Sequence, residues 1–356
     1  MGKTNLPPFL FEHTPWENEV NPIWPASSFI LHRNLANFNF PNKENETQSM
    51  HTLEIVKQGL LKCPECQSAQ FLQADQLTPL DKEFLVEHFL RLDSFQNTFA
   101  GQGFIVDPSA HFLATLNIED HLQLQFVDCK GEWEKTWNHL VQIETQLSQE
   151  IQFAFSPTFG YLTADPGLCG TGLTTDVYLH LPALIHTGAL EDALIKQKDQ
   201  DVTAFGMEGN LAELIGDILI LRNSYTLGLT EENILFSLNT SAMKLIVSEK
   251  TIRNQLLKDN SIEIKDQISR AFGLLAHSYQ LKTKEALDAL SLIKLGLDLG
   301  WIVGITDQKL NEVFFKCRRA RLALLSNEQQ LDPHEVAKKR ATFLHEQLAG
   351  MQLKAN

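Results

Sequence analysis

The chain is short of positive charge: 30 Lys plus Arg face 44 Asp plus Glu among 356 residues, a formal net charge of −14. Such a field repels phosphate backbones unless basic groups are locally concentrated, so nucleic acid is not an expected partner. Long apolar runs are missing as well, and nothing approaches the roughly 20 residues that a membrane-spanning helix needs. The opening stretch, MGKTNLPPFLFEHTPWENEV, interrupts any signal-like apolar run with prolines and acids, and MGKTNL lacks the Ser or Thr that myristoylation expects at its sixth position. Five cysteines, an odd number, suit free thiols in a reducing compartment rather than a disulfide framework. Low-complexity tracts and short repeats are absent too. A cytoplasmic protein without a membrane partner is expected.

What is present is ordinary for a globular chain, with 43% hydrophobic and 21% charged residues, and the length exceeds one usual core. Two domains are expected, divided near residue 250. Residues 1–25, rich in Pro, Asn and Trp, read as an irregular arm packed through a few aromatics. SSFILHRNLANFNFP alternates loosely and stops at Pro41, and FIVDPSAHFLATLNIEDHLQLQFVD reads as two or three strands. WNHLVQIETQLSQEIQF places Leu140, Ile143, Leu147 and Ile151 on one helical face. Beyond Ser248 the pattern is almost wholly helical. The last helix opens at DPHE, with Asp332 at the cap, Pro333 in the first turn and Glu335 in capping-box position, and its stripe is Ala337, Ala341, Leu344 and Leu348 before Gly350.

Two short motifs invite chemistry and carry little. CPEC, Cys63 to Cys66, has zinc or redox spacing, but a four-ligand site needs a second pair and the cysteines at 129, 169 and 317 are scattered. Gly170 and Gly172 in GTG are as common in turns as in phosphate cradles, and they serve where the backbone takes positive φ or packs closely.

Five stretches in order, SSFILHRNLANFNFP, LNIEDHLQLQ, FGYLTADPGLCGTGLTTDVYLHLPAL, LRNSYTLGLTEENI and LIKLGLDLGWI, together resemble the ATP:guanidino phosphotransferases, specifically the bacterial protein-arginine kinases of the McsB type. The resemblance covers about residues 18 to 349. It implies an α+β fold: a guanidino-kinase catalytic domain, an antiparallel sheet flanked by helices, over residues 1–250, and a helical, dimerisation-like domain over 251–356. That family moves the γ-phosphoryl of Mg-ATP onto a guanidinium, which calls for cations around the phosphates and carboxylates around the guanidinium.

By that resemblance the phosphate side has lost its arginines at all five positions, which here are Phe29, Leu31, Gln123, Thr174 and Thr203. One charge-assisted Arg–phosphate bond contributes roughly 1.5 to 3 kcal/mol, and micromolar affinity totals about 8 kcal/mol, so a family-like nucleotide site is not expected to survive. Arg33 shares a strand face with Phe29 and Leu31 and is the weak candidate for a substitute cation, with Lys130 and Arg222 as others. His32 reads as a surface histidine. The guanidinium side keeps more. Glu119 of NIEDH falls on the orienting carboxylate although its neighbour is Ile118, and the second carboxylate is Glu213, or as second choice Glu208, in the 203–216 loop of uncertain register. Asp165 stands where the family has a reactive cysteine before Pro166, and Cys169 reads as a small buried thiol.

The phosphoarginine-reading motif of the family keeps only Arg340 and Ala341. Lys338, Lys339 and Arg340 read as a solvated basic face. The expectation is therefore a catalytically impaired homologue, a pseudokinase binding a protein or arginine-bearing partner with no cofactor. The alternative is an active protein-arginine kinase using Mg-ATP. A homodimer, a zinc-binding activator and the Clp machinery are partners by resemblance only.

Overall fold

The computed structural model describes residues 4–12, 21–197, 199–325 and 332–354. In chain order the helices are α1 (Phe9–Glu12), α2 (Glu46–Lys62), α3 (Pro79–His88), α4 (Trp133–Glu150), α5 (Pro182–His186), α6 (Leu190–Gln197), α7 (Glu231–Asp259), α8 (Ile262–His277), α9 (Thr283–Asp298), α10 (Asp307–Lys316), α11 (Arg319–Leu325) and α12 (Pro333–Gln347). The strands are β1 (Ala26–Arg33), β2 (Gln70–Gln73), β3 (Gly103–Val106), β4 (Phe112–Leu116), β5 (Leu122–Asp128), β6 (Phe155–Ser156), β7 (Gly160–Tyr161), β8 (Leu173–His180), β9 (Val202–Gly206), β10 (Ile218–Asn223), β11 (Ile302–Val303) and β12 (Gln352–Leu353). Eight of them form one antiparallel sheet in the order β2-β3-β4-β5-β1-β8-β10-β9, as the α+β expectation requires. The stretch expected to hold two or three strands holds three, β3, β4 and β5. No helix among the described residues is long and apolar enough to cross a membrane.

The central strand β1 is buried along all eight residues, and alternation divides its side chains between the two faces of the sheet. Phe29 and Leu31 join Leu122, Leu124, Leu173, Val177, Leu219 and Leu221 in a core covered by α2, α4 and α7. Phe29 lies edge-on to Trp133 of α4, with ring centroids 4.8 Å apart. The amphipathic reading of α4 holds for Leu140, Ile143 and Leu147, its buried residues, whereas Ile151 lies just past the helix end in extended conformation. On the opposite face the far end of the sheet, Ala26, Val127, Tyr178 and Ile220, packs with Phe84, Leu85 and Leu324 of α3 and α11. The near end of that face, toward the β4–β5 hairpin, is polar and itself buried, as Gln123, Gln125, His32 and Thr174 all are.

Of the N-terminal arm, residues 13–20 lie outside the described residues; its flanks pack through aromatics as expected, Phe11 on Phe84 at 4.8 Å and Trp24 on Trp133 at 5.4 Å.

The division expected near residue 250 falls inside α7, whose apolar face continues through Leu245, Ile246 and Leu256 and which ends at Asn260 in the left-handed conformation, φ 48°. A third core follows, built on α8, α9, α10 and α12. In α12 the stripe Ala337, Ala341, Leu344 and Leu348 is buried as read. Asp332 makes no side-chain cap bond, so the expected capping box is absent and Pro333, with its fixed φ, sets the helix entry. Arg340 corrects the solvated-face reading: it is 2% exposed, and it donates to the carbonyls of Cys317 (2.7 Å) and Leu281 (2.8 Å).

Two seams join the helical domain to the sheet. At one, Glu249 accepts from the amides of Ala183 (3.0 Å) and Leu184 (2.8 Å) while Arg253 binds both Glu249 and Asp298, and His180 meets Ser291 at 2.7 Å. At the other, α11 lies on α3: the Ala320 amide donates to Glu87 at 3.3 Å, and Arg319 pairs with Glu83. Complete burial pushes the Glu87 carboxyl from the usual 4.5 up to about 7, against the pull of Arg318. A folded pKa raised above the unfolded one contributes stability that is full below the unfolded value and lost as pH rises through the folded value. Glu87→Gln should therefore unfold several degrees higher than the parent at pH 8 and no higher at pH 4.5; thermal melts across that range check it.

Candidate functional site

The polar near end of the sheet is built by the side chains that alternate away from the helices. They are Ser28, Ile30 and His32 of β1, Gln123 and Gln125 of β5, Thr174 and Asp176 of β8, Thr203 of β9 and Arg222 of β10. Phe29 and Leu31 therefore do not line this face; they point the other way, into the core. The residues of β1 that do line it are equally uncharged or imidazole, so the shortage of cations there stands with different residues carrying it.

Arg33 shares its face with Phe29 and Leu31, as expected, and for that reason it cannot serve this site. Its guanidinium is 3% exposed, pairs with Glu144 of α4 at 2.9 Å, donates to the carbonyls of His32 and Thr171, and lies 3.5 Å from the Tyr161 ring centroid. Lys130 follows the opposite end of β5 from the hairpin and is exposed. Of the three cations considered from sequence only Arg222 reaches the face. It makes a fork-to-fork pair with Asp176, both bonds at 2.6 Å, and stacks over Phe205. Burial works against the Arg222 charge, but Asp176 beside it raises its pKa above the usual value.

A second guanidinium arrives from a segment with no sequence signal. Arg91, just past the end of α3, is buried against the face: it donates to Gln123 at 2.8 Å and to Gln125 at 3.4 Å and pairs twice with Asp93, at 2.7 and 2.5 Å. Burial pushes the Asp93 carboxyl up, yet Arg91, with help from His32, holds it below the usual range. Gln125 also binds Ser28 at 2.7 Å. His32, expected at the surface, is 5% exposed and joins Asp120 (3.0 Å) and Thr174 (3.4 Å). Thr203 is exposed, with its hydroxyl on Ser224 at 2.7 Å.

The NIEDH hairpin separates structure from availability. Asn117 takes φ 57° and its amide ties Ser49, Thr52 and Gly101 together. Asp120 is buried and gathers Asn34 (2.6 Å), the Ala164 amide (2.6 Å) and His32, while His121 meets Glu44 at 3.2 Å. Glu119 is the exposed member, accepting from Gln123 at 3.2 Å. Glu213 and Glu208 are not brought to it. Their loop leaves the sheet between β9 and β10 at the far end, a strand length of roughly 25 Å away, and Glu213 faces Lys284 of α9 at 3.5 Å.

Gly170 and Gly172 fulfil their reading. Both have positive φ, 116° and 62°, and a Cβ on Gly170 would stand 2.3 Å from the Thr226 carbonyl oxygen. Asp165 is exposed and accepts from the Gly167 amide at 2.9 Å; Cys169 is half-buried rather than buried. Cys63 and Cys66 are buried and free, burial lifts Cys66 to about 12, and no metal-binding cluster occurs among the described residues.

This sheet with its flanking helices is the guanidino-kinase fold. A solved lombricine kinase matches with a TM-score of 0.57 at 18% identity over 71% of this chain and 73% of its own. A taurocyamine kinase from Schistosoma mansoni matches at 0.56 and 18% over 83% of this chain and 49% of its own. Residues 52–252 match the model of the ATP:guanido phosphotransferase C-terminal catalytic domain, and residues 261–356 that of the protein-arginine kinase McsB C-terminal domain. The protein-arginine kinase of Chlamydia pneumoniae is 36% identical over 94% of both chains, and that of Halothermothrix orenii 32% identical over 91% of this chain and 92% of its own. The chain thus belongs to the ATP:guanido phosphotransferase family, in its McsB-type protein-arginine kinase branch.

As its side chains stand, this polar face offers the polyphosphate of Mg-ATP no unpaired guanidinium among the described residues. Both guanidiniums already hold a carboxylate, and the remaining groups are neutral amides, hydroxyls and one imidazole tied to Asp120. Arg222→Ala would leave Asp176, 2% exposed, without its counter-ion. The expected loss is roughly 3 to 5 kcal/mol of stability, measured by urea unfolding, whereas the Arg222→Ala/Asp176→Ala pair should recover a large part of it.

Proposed function

We propose that this member of the family has given up phosphoryl transfer and uses the kinase fold to bind an arginine-bearing protein segment, with Glu119 as the carboxylate that meets the guanidinium. The reading is carried by one observation: among the described residues the two guanidiniums on this polar face are both neutralised from within the chain, Arg91 by Asp93 and Arg222 by Asp176. An incoming phosphate would have to break a bidentate pair at each, and Asp93, Asp176 and Asp120 add negative potential around it. An arriving guanidinium meets the opposite situation, since Glu119 is exposed and its one partner on the face is the neutral amide of Gln123.

The second reading, an active protein-arginine kinase, has its own support. Arg91 touches Gln123, and Arg222 stands across the β9–β10 ladder from Thr203. Two of the five arginine-depleted positions thus have a guanidinium next to them. Under that reading Mg-ATP is the phosphoryl donor and both arginines must release their carboxylates.

Incubation of the full chain with γ-labelled Mg-ATP and an arginine-rich acceptor protein separates the two. The expected result is no acid-labile label on arginine above that of Glu119→Gln. Label in the parent that disappears in Glu119→Gln would establish the active kinase. On the binding side, Glu119→Gln should weaken an arginine-bearing peptide about tenfold or more, the scale of one charge-assisted contact.

A further inference from the structure

The Arg91–Asp93 pair is local. It closes over two residues inside the irregular segment between α3 and β3, so the segment brings its own counter-ion to the sheet. Arg91 presents its Nε and one terminal nitrogen to Asp93, the two-donor edge with which guanidinium binds carboxylate or phosphate. The rest of the guanidinium is held against the sheet by the neutral oxygens of Gln123 and Gln125, with the Phe95 ring 5.5 Å from its carbon. Arg91 is 3% exposed, whereas the Asp93 side chain is 32% exposed. The carboxylate thus covers the solvent side of a buried, pre-oriented cation. Asp176 differs: it is 2% exposed and sits in the sheet, so it serves the fold as much as the charge.

We propose that Asp93 is an internal stand-in for an oxyanion ligand and sets the charge selectivity of this face, closing Arg91 to phosphate. The proposal deepens the reading of an idle phosphate site, on which it rests. With Asp93 gone, Arg91 offers a free two-donor edge, Nε and one terminal nitrogen, at the exposed position the carboxylate now fills, while Gln123 and Gln125 keep the guanidinium oriented. Selectivity by an occupying carboxylate is a repulsive device as well as a steric one, since an approaching anion meets both the negative charge and an occupied donor edge.

The test uses the full chain and inorganic tripolyphosphate, titrated calorimetrically at low salt against the parent, Asp93→Ala, Asp93→Asn and Asp93→Ala/Arg91→Gln, with circular dichroism confirming the fold of each. Asp93→Ala is expected to bind at least tenfold tighter than the parent, Asp93→Asn to gain in the same direction, and the double variant to return to the parental value. Asp93→Asn keeps the local shape and supplies the comparison if the alanine variant does not fold. Equal binding by parent and folded Asp93 variants would overturn the proposal, and so would a gain that survives loss of Arg91. Phosphoryl transfer by the parent would remove the idle-site reading, while the ratio between the variants still decides the role of Asp93.

Discussion

A guanidinium withdrawn from water must find acceptors, and the nearest carboxylate decides what else it can bind. On the polar face of this sheet that rule operates twice, at Arg91 with Asp93 and at Arg222 with Asp176. Each pair satisfies a charge that burial would otherwise penalise, and each removes a cation from the reach of ligands. The fold around them is that of a phosphoryl-transfer family, but its electrostatics are closed inward. Stability of the polar face and the engagement of its two guanidiniums are thus two results of the same contacts.

The family fold was legible because several features are locally consistent. α4 and α12 show their stripes at helical spacing, three strands follow one another between Gly103 and Asp128, and Gly170 and Gly172 sit where positive φ is required. The parity of β1 was not legible. An amphipathic strand declares its faces by alternation, but β1 is central and buried on both, and its large apolar residues Phe29, Ile30 and Leu31 are consecutive between polar neighbours, so no alternation marks a face. Either parity is compatible with such a pattern, and a choice of Phe29 and Leu31 as site-facing transfers the whole strand to the wrong face.

The site was legible only in part for a related reason. Glu119 lies in a hairpin whose neighbours fix it, with Asn117, Asp120 and His121 each anchored by buried hydrogen bonds. Arg91 and Asp93 lie in an irregular segment, and their value arises only when α3 and β3 carry that segment onto β5. Arg340 illustrates the same limit in the helical domain, where a Lys-Lys-Arg run suggests a wet face yet the third member is buried against two carbonyls.

The central claim is that this face does not hold polyphosphate. Calorimetric titration of the unmodified full chain with Mg-ATP at physiological ionic strength tests it most directly. No heat of binding, or a dissociation constant in the millimolar range, is predicted. A micromolar constant, about 8 kcal/mol of binding free energy, would contradict the account, because the two paired arginines as they stand cannot supply it.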